Sequence, residues 1–224
     1  MAALMAAAMS PTAAGERVVL FDGNSLDRWE FGEGAWEVTQ DGLMTCRFKL
    51  IEQGAKKVRR KSLGYAWSKN SYGDFRLRLS YRLSPGANSG VFFRTNPQDP
   101  VQLGFEIQLL EEAGYKQTGK LRTKNRNAAL YDCQAARAHR QQPAGGWNHL
   151  MLECIGPEIW VTINGVLVNR VDISRWDTPG QNPDGTQNKF RRALSTLPRS
   201  GRIGFQNHGD PVWFRNITIE ELTP

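Results

Sequence analysis

A strict alternation of apolar and polar residues along residues 74–83 constrains the fold more than any other feature of this chain. Every second position from Phe75 to Leu83 carries a large apolar side chain, and arginine or serine fill the positions between them. Because successive side chains of a strand point to opposite faces, this segment is predicted to be an antiparallel strand with one buried and one wet face. Residues 88–96 and 104–110 repeat the pattern, and no long helical period appears.

The C-terminal residues 201–222 are predicted to form two more strands with a polar corner between them. Ile203 and Phe205 share one face of the first strand, and Gly204, Gln206 and His208 share the other. In residues 212–219 both faces carry bulk, which predicts a strand that is covered on both sides. The two predicted faces are Trp213, Arg215, Ile217 and Ile219 against Val212, Phe214, Asn216 and Thr218. Arg215 is interpreted as a structural arginine stacked on its aromatic neighbours.

Turn signals between the strands complete the fold prediction. Asn164-Gly165 separates two β-branched runs and is typical of a type I′ hairpin. The chain is therefore predicted to be all-β, a two-sheet antiparallel β-sandwich of the jelly-roll type. With 224 residues and 40% hydrophobic content it can build one such core, so residues 17–224 are assigned to a single domain.

Residues 1–16 are predicted to be either a disordered tail or the remnant of a signal peptide. They are rich in Ala and Met but lack a basic start. A signal would place the protein in the periplasm or outside the cell, whereas a complete N-terminus would leave it in the cytoplasm. No other segment approaches the roughly 20 apolar residues of a membrane span.

Charge and cysteine content limit the partners. The net charge of +7 is dispersed except for the cluster at residues 56–61, which is predicted to be a solvated basic loop within a mobile segment, 49–61, and not a nucleic-acid site. The three cysteines form no C-x-x-C pair, which argues against zinc. Cys154 is predicted to be a buried thiol, and one disulfide with a leftover thiol stays open.

A polar set on the outward positions of three strands is the candidate site. A carboxylate, a guanidinium, an imidazole and several amides converge if these strands are neighbours, and aromatic rings border them. Such a surface suits a sugar, which offers both hydroxyl groups and C–H faces. The predicted members are Asn88, Arg94, Glu106, Gln108, Gln206 and His208, with Phe92, Tyr131 and Trp147 as the border.

The roles of the two titratable candidates stay open at this point. Glu106 can act as an acid, a base or a ligand, or it can form a structural ion pair with Arg94. His208 can be a base, a metal ligand or an ordinary turn residue. A conventional two-carboxylate glycosidase would need Asp210 or Glu111 beside Glu106. No nucleophile elbow, zinc-protease, P-loop or dinucleotide motif is present.

Several motifs, in order, resemble the DUF1080 family, also called the 3-keto-disaccharide hydrolase domain. The resemblance runs from about residue 18 to residue 222, and several motifs in the right order make it specific. The motifs are Leu20-Phe21-Asp22-Gly23-Asn24-Ser25-Leu26, Tyr72-Gly73-Asp74-Phe75, Asn88-Ser89-Gly90-Val91-Phe92-Phe93-Arg94, Glu106-Ile107-Gln108, Pro143-Ala144-Gly145-Gly146-Trp147-Asn148, Asn182-Pro183-Asp184-Gly185-Thr186, Asn188-Lys189-Phe190, His208-Gly209 and Phe214-Arg215-Asn216-Ile217.

The resemblance implies a concanavalin A-like jelly roll that acts on 3-keto-glycosides in a bacterial periplasm or secreted fraction. It implies Glu106 or His208 as base, with Arg94 and Gln108 or a divalent cation steadying the oxyanion. Members usually carry Asp where this chain has Asn207, which is counted with the substrate-binding residues. A non-catalytic carbohydrate-binding module and a two-carboxylate glycosidase are the alternatives. The expected partner is a small carbohydrate, with no nucleic acid; the oligomeric state and any metal are left undetermined.

Overall fold

A computed structural model describes residues 13–52 and 58–223, which fold as packed antiparallel sheets. The strands are β1 (Ala13–Phe21), β2 (Trp29–Glu30), β3 (Trp36–Val38), β4 (Met44–Cys46), β5 (Phe48–Glu52), β6 (Val58–Ser62), β7 (Ala66–Tyr72), β8 (Phe75–Leu83), β9 (Asn88–Thr95), β10 (Phe105–Leu110), β11 (Trp147–Ile155), β12 (Glu158–Ile163), β13 (Val166–Asp172), β14 (Gly201–Phe205) and β15 (Val212–Thr223). Within these described residues, short 3-10 helices lie at Thr118–Lys120, Thr123–Asn125, Ile173–Arg175 and Leu194–Thr196.

Two sheets carry the architecture. The eight-stranded sheet has the order β13-β12-β11-β8-β15-β4-β3, with β1 also paired to β15. The five-stranded sheet has the order β10-β9-β14-β7-β2, and β5 and β6 form a separate hairpin. This arrangement confirms the predicted all-β sandwich, and the C-terminal strand lies inside its sheet between β8 and β4.

The hydrophobic core lies between the two sheets, and aromatic rings from both sheets pack against each other within it. The apolar residues of β8 from Phe75 to Leu83 are all buried, as their alternation predicts. Phe205 of the five-stranded sheet stacks on Phe214 of the eight-stranded sheet with ring centroids 4.2 Å apart. Trp29 stacks on the other side of Phe205 at 4.8 Å. Offset aromatic stacking thus supplies contact across the middle of the sandwich.

A bulge in β15 overturns the predicted faces of that strand. Asn216 has φ +53°, and the register with β8 shifts between Arg215 and Thr218. The extra residue reverses the alternation, so that Phe214 and Ile217 are both buried in the core. The assignment of Ile217 to the face of Trp213 was therefore wrong.

Other sequence predictions meet different outcomes. The segment predicted as a mobile loop at 49–61 instead forms the β5–β6 hairpin, with residues 53–57 outside the described part. β1 begins at Ala13, whereas the domain was predicted to start at residue 17, and residues 1–12 of the predicted tail lie outside the described residues. Cys46, Cys133 and Cys154 are buried and free. No helix in the described ranges is long and apolar enough to cross a membrane.

Candidate functional site

The outer face of the five-stranded sheet collects side chains from four strands in one row. Glu106 lies opposite Phe92, Phe92 opposite Gly204, and Gly204 opposite Trp67. Residues directly opposite each other in a sheet present their side chains on the same face. We call this row, with Glu106 at one end and Trp67 at the other, the site row.

The next row along the same face carries amides. Gln108 lies opposite Gly90, and the backbone N–H of Gln206 donates to the Gly90 carbonyl at 2.9 Å. The Gln108 side chain donates to the Asn88 side-chain oxygen at 3.0 Å. Gln108 and Gln206 thus lie in the row next to Glu106, and Asn88 lies one row further and is bonded to Gln108.

Glu106 is a buried carboxyl group that faces an opening left by a glycine. Its side chain is 5% exposed, and Oε1 has no hydrogen-bond partner among the residues that the structure describes. A Cβ on Gly90 would overlap that oxygen, so only glycine leaves room for it. Burial raises the pKa of Glu106 to about 7, against an opposing effect of the Lys189 charge. A carboxyl group that titrates near neutrality can serve as a general base.

A second orphaned acceptor lies across Gly90 from Glu106. The side-chain oxygen Oε1 of Gln206 is also buried without a partner in the described part of the chain. Buried acceptors are normally hydrogen-bonded, so two of them on one face indicate a ligand that donates. Sugar hydroxyl groups are such donors.

An aromatic cluster borders the site row. Tyr65 stacks on Phe92 with ring centroids 5.4 Å apart, and Trp67 lies 5.5 Å from Phe92. Trp67 packs flat on the sheet because Gly204 has no Cβ to push it away. Burial, and secondarily the charge of Glu106, raises the pKa of Tyr65, and the nearby Gln206 side chain opposes this change. Neither ring was among the residues predicted from the sequence, although Tyr65 and Trp67 lie two positions apart in the chain and therefore share a parity.

Lys189 is a further residue that the sequence analysis did not select. Its Nζ lies 4.2 Å from the centroid of the Tyr131 ring, which places both residues at the edge of the site. Burial lowers the pKa of Lys189, and the nearby charges of Glu106 and Asp132 oppose that change. The Lys189 backbone N–H donates to the Asp132 carboxylate at 2.7 Å, and the Tyr131 N–H donates to the Glu106 carbonyl at 2.9 Å.

Arg94 is not part of this set, which corrects its prediction as an outward-facing oxyanion group. It lies in a bulge with φ +48°, and Thr95, the next residue, takes the position opposite Arg202. Its side chain is buried and donates to the carbonyls of Gly73 at 3.0 Å and Gly156 at 2.7 Å. The guanidinium pairs with Asp74 at 2.8 Å. The structural ion pair considered for Arg94 thus exists, but with Asp74 in place of Glu106.

Trp147 is also misplaced by the sequence prediction. It begins β11 and lies opposite Arg82 on the outer face of the eight-stranded sheet. The Arg215 guanidinium carbon lies 3.9 Å from its ring centroid, and Arg82 lies between Trp147 and Trp213 at 5.0 Å and 4.5 Å. Trp147 is therefore a structural residue on the opposite side of the sandwich, and Arg215 is a stacked arginine as predicted.

Asn207 and His208 lie on the corner between β14 and β15. Asn207 is buried, its amide donates to the Arg47 carbonyl at 2.7 Å, and its oxygen accepts from the Gly209 N–H at 3.0 Å. A carboxylate could not donate the first of these bonds, so the amide of Asn207 has a structural role here, and its role in substrate binding stays a prediction. His208 is exposed and forms no hydrogen bond with the described residues. Its role as a base stays a prediction.

The donor set for a metal ion is sparse. Over residues 13–52 and 58–223, no group of three or more His, Cys, Asp or Glu side chains is arranged to hold a metal ion. Beside Glu106, the other unpartnered oxygen is the amide of Gln206. One carboxylate and one amide do not make the six or more oxygen ligands of calcium without extensive help from water or substrate.

Comparison with known proteins points to one family. The family model described as "3-keto-alpha-glucoside-1,2-lyase-like domain" matches residues 16–220. A protein named "3-keto-disaccharide hydrolase" from Bacteroides thetaiotaomicron is 25% identical over 247 residues, which cover 99% of this chain and 83% of that protein.

Solved structures share the fold. A crystal structure of a "putative glycosyl hydrolase" from Parabacteroides distasonis superposes with a TM-score of 0.79 at 27% identity, covering 93% of this chain and all of the other (100%). A galectin-like protein of unknown function from Bacillus subtilis superposes with a TM-score of 0.56 at 12% identity, covering 94% of this chain and 97% of the other. The second similarity concerns the sandwich alone.

Proposed function

This chain belongs to the family of 3-keto-alpha-glucoside-1,2-lyase-like domains, and from that premise we propose that it cleaves 3-keto-glycosides with Glu106 as the base. The observation that carries the proposal is the buried, unpartnered carboxyl group of Glu106 beside Gly90, on a face lined by aromatic rings and amides. The relative named 3-keto-disaccharide hydrolase supports the same substrate class.

The proposed reaction starts at the carbon next to the ketone. A carbonyl at C3 acidifies the proton on C2, and the Glu106 carboxylate accepts that proton. The electron pair left on C2 forms the C1–C2 double bond, and the C1–O bond breaks to release the aglycone, which takes up a proton. Water then adds across the double bond to give the free 3-keto sugar, so the sum of the steps is hydrolysis.

Lys189 is proposed to stabilise the negative charge of the enolate. It is the cation whose charge reaches Glu106, and its partial burial strengthens its electrostatic effect on a neighbouring anion. This role replaces the one that the sequence assigned to Arg94. The Tyr131 ring under Nζ and the Asp132 carboxylate on the Lys189 backbone hold the lysine in place.

A two-carboxylate glycosidase is less consistent with the structure. The Glu111 carboxylate accepts hydrogen bonds from the backbone of Gly86, Ala113 and Gly114. The Asp210 carboxylate accepts from the Asn88 N–H and pairs with Arg60. Both acids are bound by other parts of the fold, so neither Glu111 nor Asp210 is free to act as a second catalytic carboxylate beside Glu106.

Aglycone release from a 3-keto-glucoside and from its parent glucoside tests the proposal, with and without EDTA. We expect release from the keto compound alone. Because Glu106 must be deprotonated to act, kcat/KM should rise with pH and level off above about pH 7. Sugar binding without release of the aglycone would identify a carbohydrate-binding module instead. Inhibition by EDTA would show that the reaction needs a metal ion, for which the described side chains form no cluster of ligands.

Two substitutions separate the candidate bases. Glu106→Gln keeps the shape of the side chain but cannot accept the C2 proton, and turnover should fall by at least about 1000-fold. His208→Ala tests the exposed histidine in the same assay. Normal turnover in Glu106→Gln would contradict the proposed base. If only His208→Ala loses turnover, His208 is the base.

A further inference from the structure

A basic cavity lies one row beyond the site row on the same face of the five-stranded sheet. In this row Thr95 and Ser71 both lie opposite Arg202, and a Cβ on Gly104 would overlap the Thr95 side chain. The cavity has a volume of about 450 Å³. Its walls include Ser71, Thr95, Asn96, Arg192, Pro198 and Arg202.

The cavity and the candidate active site share a wall. Residues 189–192 supply Lys189 to the site and Arg192 to the cavity. Gln102 holds this segment at two points, because its amide donates to the Lys189 carbonyl at 3.0 Å and its oxygen accepts from the Arg191 N–H at 2.9 Å. Gly104 lies two residues before Glu106, immediately before the start of β10, so the two positions are about 7 Å apart along an extended chain.

The charge of the cavity is positive and partly uncompensated. Arg192 has no ion pair or hydrogen bond with the residues that the structure describes. Arg202 pairs with Glu30, an exposed residue of β2 that lies opposite Trp67. No acidic side chain is among the described residues that line the cavity. Arg94 also lines the cavity, but its guanidinium group is paired with Asp74. The guanidinium groups of Arg192 and Arg202, beside serine and threonine hydroxyls, suit a sugar that carries an anion.

We propose that this basic cavity is the subsite for the unit linked to the keto sugar, and that it selects an anionic sugar, a uronate or a sugar phosphate. The proposal rests on the proposed function and specifies its leaving group. Arg192 binds the anionic group. Arg202 forms a second ion pair with that group once it has released Glu30.

Two 3-keto-disaccharides test the substrate preference, one with glucose as the leaving unit and one with glucuronate. Wild-type protein should show a kcat/KM for the glucuronate compound at least about tenfold higher, the size of one charge-assisted hydrogen bond. Arg192→Gln should reduce this ratio to near one. Arg191→Gln is the matched control, because that exposed arginine pairs with Asp99 outside the cavity and should keep the ratio of the wild type.

Binding of the free sugars gives a readout that does not need turnover. In calorimetry with glucuronate, glucose 6-phosphate and glucose, the wild type should bind the two anionic sugars more tightly than glucose. Arg192→Gln should lose this difference. The anionic sugar that the wild type binds more tightly identifies the preferred class of leaving unit. Equal kcat/KM for both disaccharides, or a preference kept in Arg192→Gln, would overturn the subsite while the cleavage itself upholds the proposed function. Arg192-dependent binding of the anions without cleavage of either disaccharide would overturn the proposed function and, with it, the leaving-group role of the cavity, which would then be only a binding site for anionic sugars.

Discussion

Gly90 and Glu106 form a pair in which a missing side chain creates the candidate site. The carboxyl group of Glu106 occupies the space that a Cβ at position 90 would fill. The same packing buries the carboxyl group and keeps Oε1 free of protein donors. The unusual pKa and the room for a ligand therefore have one structural cause.

Gly90→Ala should reduce kcat/KM by at least about 100-fold, because the added methyl group displaces the Glu106 carboxyl group. Gly119→Ala is the matched control, since no atom lies within 4 Å of a Cβ there. Steady-state kinetics and a melting curve of each variant check the prediction. Unchanged kinetics for a folded Gly90→Ala would show that the position of Glu106 is not critical.

Glu106 should also make stability depend on pH. Its folded pKa, about 7, lies above the ordinary value of 4.5, so the folded protein holds a proton that the unfolded chain releases between these values. Stability from this group is present below about pH 4.5 and is lost as pH rises through 7, by up to about 3 kcal/mol.

The difference in free energy of unfolding between Glu106→Gln and wild type should therefore shift in favour of the variant between pH 5 and pH 8. Urea unfolding at both pH values measures the difference, and Glu33→Gln, an exposed position, serves as the control. A difference that does not change between the two pH values would contradict the raised pKa.

At the scale of elements, the two outer faces of the sandwich do different work. The face of the five-stranded sheet carries glycines, amides and a buried acid, whereas the face of the eight-stranded sheet carries stacked arginine and tryptophan. Arg82, Trp147, Trp213 and Arg215 close over one another, which shields strands β8, β11 and β15 without another layer. Bulk on both faces of β15 reflects this covering by side chains.

Trp147→Ala should lower the free energy of unfolding by about 1–3 kcal/mol, because two guanidinium groups lose their aromatic partner. The kcat/KM of the folded variant should stay at the wild-type value, since the residue lies on the other side of the molecule from Glu106. Urea unfolding and steady-state kinetics measure the two quantities. A loss of kcat/KM without a loss of stability would contradict the structural role and indicate that Trp147 contributes to the active site.

At the scale of the whole molecule, the stacked rings of Trp29, Phe205 and Phe214 join the two sheets into one core. Such a core predicts a single unfolding transition for the described sandwich. The site row depends on this core, because Phe205 is the residue after Gly204 and points to the opposite face.

Phe205→Ala should lower the free energy of unfolding by about 3–5 kcal/mol, with both sheets still unfolding together. Far-UV circular dichroism and tryptophan fluorescence should report the same midpoint in urea. Two separate midpoints would show that the sheets are independently stable.

Local chain physics accounts for what could be predicted. The alternation along β10, the first part of β9 and β14 with the residue after it depends only on the geometry of an extended backbone, and it placed Glu106, Gln108 and Gln206 on one face. The all-β class follows from the same alternation and from the turn residues. Within a strand, each side chain's face is a local property until a bulge intervenes.

Long-range packing decided the rest. The bulges at Arg94 and Asn216 each reverse a face, and nothing in the local pattern marks them. Trp147 belongs to the other sheet because β11 pairs with β8, and Lys189 reaches Glu106 from a segment without periodicity. Strand partners, register and loop position depend on contacts between residues far apart in the chain. An alternation of neighbours carries no information about those contacts, so only the folded structure could assemble the site.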